Sequence, residues 1–460
     1  MPTYVTANPT TGEVVREFDE LTDADVPQVL ARSTQAFASW RTTPAAERAR
    51  MMTHIADAYD ARRDELATVI STEMGKPLAE AQGEVDLAGA IYRWYADHGP
   101  ALLEPEVLDP QGSDESLVET TPVGPLVGVM PWNYPYYQVA RFVGPNLMAG
   151  NTIVLKHAPI CAASAEVMAE IVHAAGVPED AYINVFATNE QIADMIADPR
   201  VQGISLTGSE RAGASVAETA GRNLKKAVLE LGGSDALIVL DDGDLETTAQ
   251  IAAAARLSNA GQACNSPKRM IVPNGRVDDF VATIVREFES ATVADPTDPE
   301  TTVGPLSSIT ARDTVVAQVQ RAVEQGATLH TGGDAIDGDG AFMRPAVLTG
   351  VTKDMDAYGE EIFGPVAVVY GVDSTDDAVT LANDVSFGLS GSVWGTDVSR
   401  AQEIADRLEV GMAYVNEHGT TLPGLPFGGV KRSGFGRELG RWGMGEFVNT
   451  RLRRTSTVKK

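Results

Sequence analysis

The chain has 460 residues, 43% of them hydrophobic, with 43 glycines and 25 prolines; it is too long for one compact core and suits an α/β protein of two or three domains. Its formal charge of −28 sets 64 acidic residues against 27 arginines and only 9 lysines, which argues against nucleic acid as a partner, since phosphates need neutralising cations. No run approaches ~20 apolar residues, so a helical membrane span is excluded; two cysteines and six scattered histidines give neither a disulfide framework nor metal-ligand spacing.

Acidic residues recur along the whole chain, in clusters such as Asp241-Asp242 and Asp376-Asp377. With so few lysines, this fits a protein from a halophile, where salt screens self-repulsion. The start, MPTYVTANPTTGEVV, has neither a charged n-region nor an apolar h-region, so a cytoplasmic location is expected.

Residues 44–98 read as helices, with apolar residues at helical spacing and Gly75 and Pro77 as punctuation. A strand-like pair over 103–122 predicts a projecting hairpin, and the apolar run 126–130 leads into the turn-rich PWNYP at 131–135. Apolar runs at 152–155, 182–185, 203–206, 226–229 and 236–240 then alternate with amphipathic segments, the pattern of βαβ units on a parallel sheet. A second series at 270–272, 366–370, 389–394 and 411–415 predicts a second α/β domain, and 447–458 reads as a terminal strand.

Neither G-x-G-x-x-G nor G-x-x-x-x-G-K-[ST] occurs. Instead Thr207-Gly208-Ser209 follows the run 203–206. A strand turning on Gly-Ser into a helix offers free N–H groups and a positive dipole end to a phosphate, though the same residues serve as an ordinary N-cap. Cys264 lies in the polar segment NAGQACNS after a helix at 249–257, whereas Cys161 opens an Ala-rich helix and reads as packing. Glu230, between apolar neighbours at a strand end, suits either a desolvated general base or a salt bridge. Glu361, in EEIFGP, carries the same two readings. Lys156 closes the run 152–155, where a cation can meet a ligand hydroxyl or phosphate. Asn133, in a turn with two prolines, can offer its amide to an oxyanion.

Taken in order, PWNYP (131–135), VLK (154–156), LTGS (206–209), ELGG (230–233), GQAC (261–264), EIFGP (361–365) and PFGGVKRSGFGRELG (426–440) resemble the aldehyde dehydrogenase superfamily, from about residue 5 to the C-terminus. The resemblance implies an aldehyde dehydrogenase-like α/β fold. A Rossmann-type cofactor domain would span 1–102 and 123–231, and an α/β catalytic domain 232–440. A small oligomerisation element, 103–122 and 441–460, would pair subunits into a homodimer or homotetramer. The resemblance makes Cys264 the nucleophile and Glu230 the base, with Asn133 sharing an oxyanion hole with the Cys264 N–H. It implies NAD or NADP, with Lys156 at the adenosine ribose, Gly208 and Ser209 at the pyrophosphate and Glu361 at the nicotinamide ribose. Trp132, Leu231 and Phe363 would complete the cofactor pocket.

The runs LKHAP (155–159), TGSERAGA (207–214) and LELGGSDALIVL (229–240) look most like bacterial succinate-semialdehyde dehydrogenases. Succinate semialdehyde is therefore the implied substrate; another small or aromatic aldehyde, or a non-catalytic structural protein on this fold, are the alternatives. Arg141, eight positions after Asn133, is expected to face the substrate tunnel and take the distal carboxylate bidentately. Two positions depart from the pattern. Ser258 stands where a second substrate arginine is expected. Pro159 stands where many NAD-preferring relatives carry Glu, which leaves room for a 2′-phosphate.

Overall fold

A strand covered by helices on both faces has no polar side, so parallel strands appear in sequence as unbroken apolar runs. In the computed structural model, which describes residues 4–458, five such runs lie parallel in one sheet. In spatial order they are Tyr182–Asn184, Thr152–His157, Pro125–Met130, Gly203–Thr207 and Lys226–Glu230. The strand order reverses between Pro125–Met130 and Gly203–Thr207, so a crevice opens at their carboxyl ends, where ligands of such sheets bind. A sixth strand was not legible in the sequence. Gly434–Phe435 returns from the C-terminal region and pairs antiparallel with Lys226–Glu230, setting Gly434 opposite Glu230.

The second sheet has seven strands, in the order Thr328–Thr331, Ala346–Thr349, Val366–Val372, Arg269–Pro273, Ala236–Val239, Ser390–Trp394 and Met412–Val415. All pair in parallel except Thr328–Thr331, which is antiparallel at the edge. The segment 103–122 forms the expected hairpin, Glu106–Leu108 with Glu115–Pro122. The terminal strand Val448–Thr455 pairs with Glu115–Pro122 along its whole length and completes a three-stranded sheet.

Helices Ala45–Ala61, Leu78–Leu102 and Pro135–Ala149 pack into the largest apolar cluster, together with the strands of the first sheet. Every residue of Pro135–Ala149 is buried. It is a core helix with no solvent face, and any charge on it needs an internal partner. Among the described residues no helix is long and apolar enough to cross a membrane, and no group of three or more His, Cys, Asp or Glu is placed to hold a metal ion.

Candidate active site

The cysteine loop begins where helix Leu245–Leu257 ends. The chain turns through Ser258–Gly261, with Asn259 and Ala260 both in left-handed backbone at φ 52°. That conformation costs a non-glycine residue roughly 1–2 kcal/mol and persists only where contacts impose it. The contacts are present. The Asn259 N–H donates to the Glu80 carboxylate at 2.7 Å, and its Nδ2 donates to the Asn133 carbonyl at 2.9 Å. Gly261 follows at φ 72°, and a Cβ there would collide with the Gly364 carbonyl. Glycine thus lets the cysteine loop lie against EIFGP. Arg256, fully buried, clamps the two loops by donating to the carbonyls of Gly261 at 3.1 Å and Ile362 at 2.7 Å. Cys264 emerges from this loop half-buried. Burial pushes its thiol up to about 12, against the pull of Arg141 and Lys268.

The PWNYP turn is fixed from the opposite side. Lys76 donates to the Asn133 carbonyl at 3.0 Å and lies 3.6 Å over the Tyr134 ring. It is paired with Glu84, and neither side chain is more than 1% exposed. Glu84 in turn accepts the N–H groups of Tyr136 at 2.8 Å and Tyr137 at 3.2 Å, putting a negative charge at the start of helix Pro135–Ala149. Asn133 Nδ2 donates to the Gln262 carbonyl at 3.0 Å, which uses one of its two amide hydrogens.

Glu230 ends its strand 2% exposed, and among the described residues neither carboxylate oxygen has a hydrogen-bond partner. Buried polar groups are nearly always satisfied, so an unsatisfied carboxylate marks a site rather than a brace. Burial pushes its pKa well above the carboxylate range, with Arg141 opposing the rise and Glu438 adding to it. Cys264, Asn133 and Glu230 share a cavity of about 280 Å³ with Trp132, Gly208, Ser209, Leu231, Glu361 and Phe363. Trp132 and Phe363 meet edge to face at 5.7 Å. Ser209 caps helix Glu210–Arg222 through the Ala212 N–H, so the positive end of that helix points at the cavity. Glu361 accepts the Gly233 N–H at 3.1 Å and faces Lys268 at 3.2 Å. Lys156 lies in a second cavity of about 370 Å³ beside the same helix, with Arg211, Val129 and Val216. Burial pulls its ammonium down to about 8, and it forms no ion pair among the described residues.

Arg141 departs from the expected arrangement. Its side chain is fully buried and does not line the cavity that holds Cys264. It pairs with Glu438, donates to Tyr137 Oη at 3.0 Å and Thr207 Oγ1 at 3.2 Å, and lies 4.4 Å from the Phe427 ring. Helix Pro135–Ala149, which carries Arg141, starts two residues after Asn133 and is buried along its whole length. Lys76, Glu80, Glu84, Arg256, Lys268 and Glu438 were not singled out from the sequence. The available signal was a charge set among apolar neighbours, as Arg256 is between Ala255 and Leu257.

A thiol-bearing loop of one α/β sheet facing a glycine–serine helix start of another defines a dinucleotide-dependent dehydrogenase of the cysteine type. Residues 2–452 match the aldehyde dehydrogenase family, and the chain belongs to it. It is 51% identical over 458 residues to a succinate-semialdehyde dehydrogenase [NADP(+)] of Deinococcus radiodurans, covering 99% of this chain and 96% of that one. It is 41% identical to a protein of the same name from Mycobacterium avium, covering 97% of this chain and 95% of that one. The crystal structure of succinic semialdehyde dehydrogenase from Streptococcus pyogenes in complex with NADP+ superposes with a TM-score of 0.96 at 42% identity, covering 99% of this chain and 100% of that one.

Proposed function

We propose that the chain oxidises succinate semialdehyde to succinate with NADP+, through a thioester on Cys264. The observation that carries this reading is the buried Glu230 carboxylate, without a hydrogen-bond partner among the described residues, in the same cavity as Cys264 and Asn133. The Cys264 thiolate adds to the aldehyde carbon, and the carbonyl oxygen becomes an oxyanion. It accepts hydrogen bonds from the second Nδ2 hydrogen of Asn133 and from the Cys264 N–H. The nicotinamide, when bound, supplies the acceptor for the hydride that leaves that carbon. Glu230 then takes a proton from water, whose oxygen attacks the thioester carbon; the C–S bond breaks and the acid is released.

The residues fit such a cofactor. Lys156 is a buried cation without an ion pair among the described residues, suited to a phosphate or ribose oxygen. Gly208 and Ser209, at the helix start, suit a pyrophosphate. Glu361 suits the nicotinamide ribose, and Trp132, Leu231 and Phe363 offer an apolar wall to the ring. Pro159 sets no carboxylate near Lys156, which favours a 2′-phosphate, and the named relatives use NADP+.

The relatives' substrate supports succinate semialdehyde. Arg141 would read its far carboxylate: two of its five N–H donors are not spent on Glu438, Tyr137 and Thr207, and its charge acts on Cys264. Pairing of subunits would use the three-stranded sheet, which exposes Val107 by 77% and Leu452 by 59%. A cytoplasmic, salt-adapted enzyme accords with the −28 charge. A panel of aldehydes assayed with NADP+ and NAD+ in high salt tests the assignment: kcat/KM should be highest for succinate semialdehyde with NADP+. Equal efficiency on butanal would overturn the substrate.

A further inference from the structure

Thioester chemistry needs a thiolate, and burial opposes one at Cys264. Of the two cations acting on the sulfur, Arg141 is already matched by Glu438. The other is Lys268, four residues after the cysteine, with its side chain 4% exposed. An ammonium has three donors, and all three are directed. One goes to the Cys264 carbonyl at 2.8 Å, one to the Ala263 carbonyl at 2.9 Å, and one to Glu361 Oε1 at 3.2 Å. A single charge therefore ties the backbone of the cysteine loop to a carboxylate on the facing wall of the cavity.

We propose that Lys268 is a positioning residue for Cys264: it holds the cysteine loop against the Glu361 wall and lends its charge to the thiolate, while Glu361 competes for that charge. The proposal rests on Cys264 being the nucleophile. The groups that bear on the sulfur come from several elements. Tyr134 and Tyr137 come from the PWNYP turn and its helix, as does Arg141. Glu230 shares the cavity from its strand. Asp235 follows that strand, is buried against Ser390, and acts on both Lys268 and the sulfur. Glu361 comes from EIFGP. Of the two cations, only Lys268 touches the cysteine's own backbone, and it shares its charge with Glu361 through a direct contact.

A brace and a charge donor can be told apart. Iodoacetamide labelling of Cys264 is followed against pH; Cys161 is fully buried, and Cys264→Ala supplies the blank. Lys268→Met should raise the labelling midpoint by about one pH unit, the low end of the shift for losing a nearby opposite charge. It should slow labelling at neutral pH roughly tenfold and lower kcat while the KM for the aldehyde holds. Lys268→Arg should keep the midpoint near the wild-type value. Glu361→Gln should move it downwards, because the competing carboxylate is gone. Opposite shifts from the two walls of one contact are the signature. A midpoint unchanged in Lys268→Met, or moved the same way in both variants, would overturn the proposal. If Lys268→Met does not fold, the sign in Glu361→Gln decides alone. Full turnover in Cys264→Ala would instead overturn the nucleophile assignment on which the proposal stands.

Discussion

The oxyanion turn hangs on one buried ion pair, and removing half of it should separate stability from catalysis. Glu84→Gln keeps the side-chain shape and can still accept the Tyr136 N–H, but it strands Lys76, whose side chain is wholly buried. Removing one partner of a buried pair costs ~3–5 kcal/mol. The loss is capped at about 4.6 kcal/mol, the cost of taking the proton from an ordinary lysine at pH 7. A neutral Lys76 also holds the Asn133 carbonyl less firmly, so the amide of Asn133 drifts. A misplaced oxyanion donor costs roughly 10²–10³ in kcat. The double variant Lys76→Met/Glu84→Gln removes both charges and should recover most of the lost stability, since an apolar replacement of a buried pair is often neutral. It should not recover kcat, because the Asn133 carbonyl keeps only the Asn259 amide and has lost the Lys76 ammonium. Urea unfolding and steady-state kinetics on the two variants and the wild type provide the comparison. Recovery of kcat together with stability in the double variant would refute the idea that Lys76 positions Asn133.

Arg141→Lys keeps a charge opposite Glu438 but loses the planar fork; it should lower kcat/KM on succinate semialdehyde by roughly ten- to a hundredfold, the worth of a charge-assisted contact, and leave butanal nearly unchanged. Equal losses on both would make Arg141 a brace only. The raised pKa of Glu230 has a stability consequence with a definite sign. A carboxyl whose folded pKa lies above its unfolded value stabilises the protein below the unfolded pKa, and that contribution is lost as pH rises through the folded one. Glu230→Gln should therefore raise the urea midpoint at pH 8 more than at pH 5, and a gain that does not grow with pH would contradict an uncompensated buried carboxylate. Lys156→Met should weaken NADP+ binding in calorimetry by at least tenfold while sparing the fold; unchanged affinity would remove Lys156 from the cofactor site. The −28 charge predicts a melting temperature that climbs from dilute buffer to molar KCl, where screening shortens to ~3 Å, and a flat profile would make the charge incidental.

The central strands of both sheets were legible because burial on two faces leaves unbroken apolar runs, such as Thr152–His157. The edges were not. Thr328–Thr331 is mostly exposed and polar, and Gly434–Phe435 is two residues long, so neither carries a periodic signal. At the site, Cys264, Glu230 and Asn133 stood out because each sits in a short motif of unusual local chemistry. Their supports did not. Glu80 and Glu84 look like the polar side of an amphipathic helix in sequence, yet they reach inward to Asn259 and to the helix carrying Arg141. The enclosure of Arg141 did not show in the sequence because its partner, Glu438, lies in the far C-terminal segment. A pair of charges so distant in sequence shows nothing of its closeness until the chain is folded.

The most direct test of the account is to stop the reaction between its two halves. Glu230→Gln retains Cys264 and Asn133 but removes the base that hydrolyses the thioester. Mixed with succinate semialdehyde and NADP+, it should release about one NADPH per chain in a burst followed by slow turnover, the pattern of an accumulating acyl-enzyme. Mass spectrometry of the quenched protein should find one succinyl group on the peptide that carries Cys264. Rapid steady turnover without a burst, or a quenched protein with no acyl group on Cys264, would contradict the account.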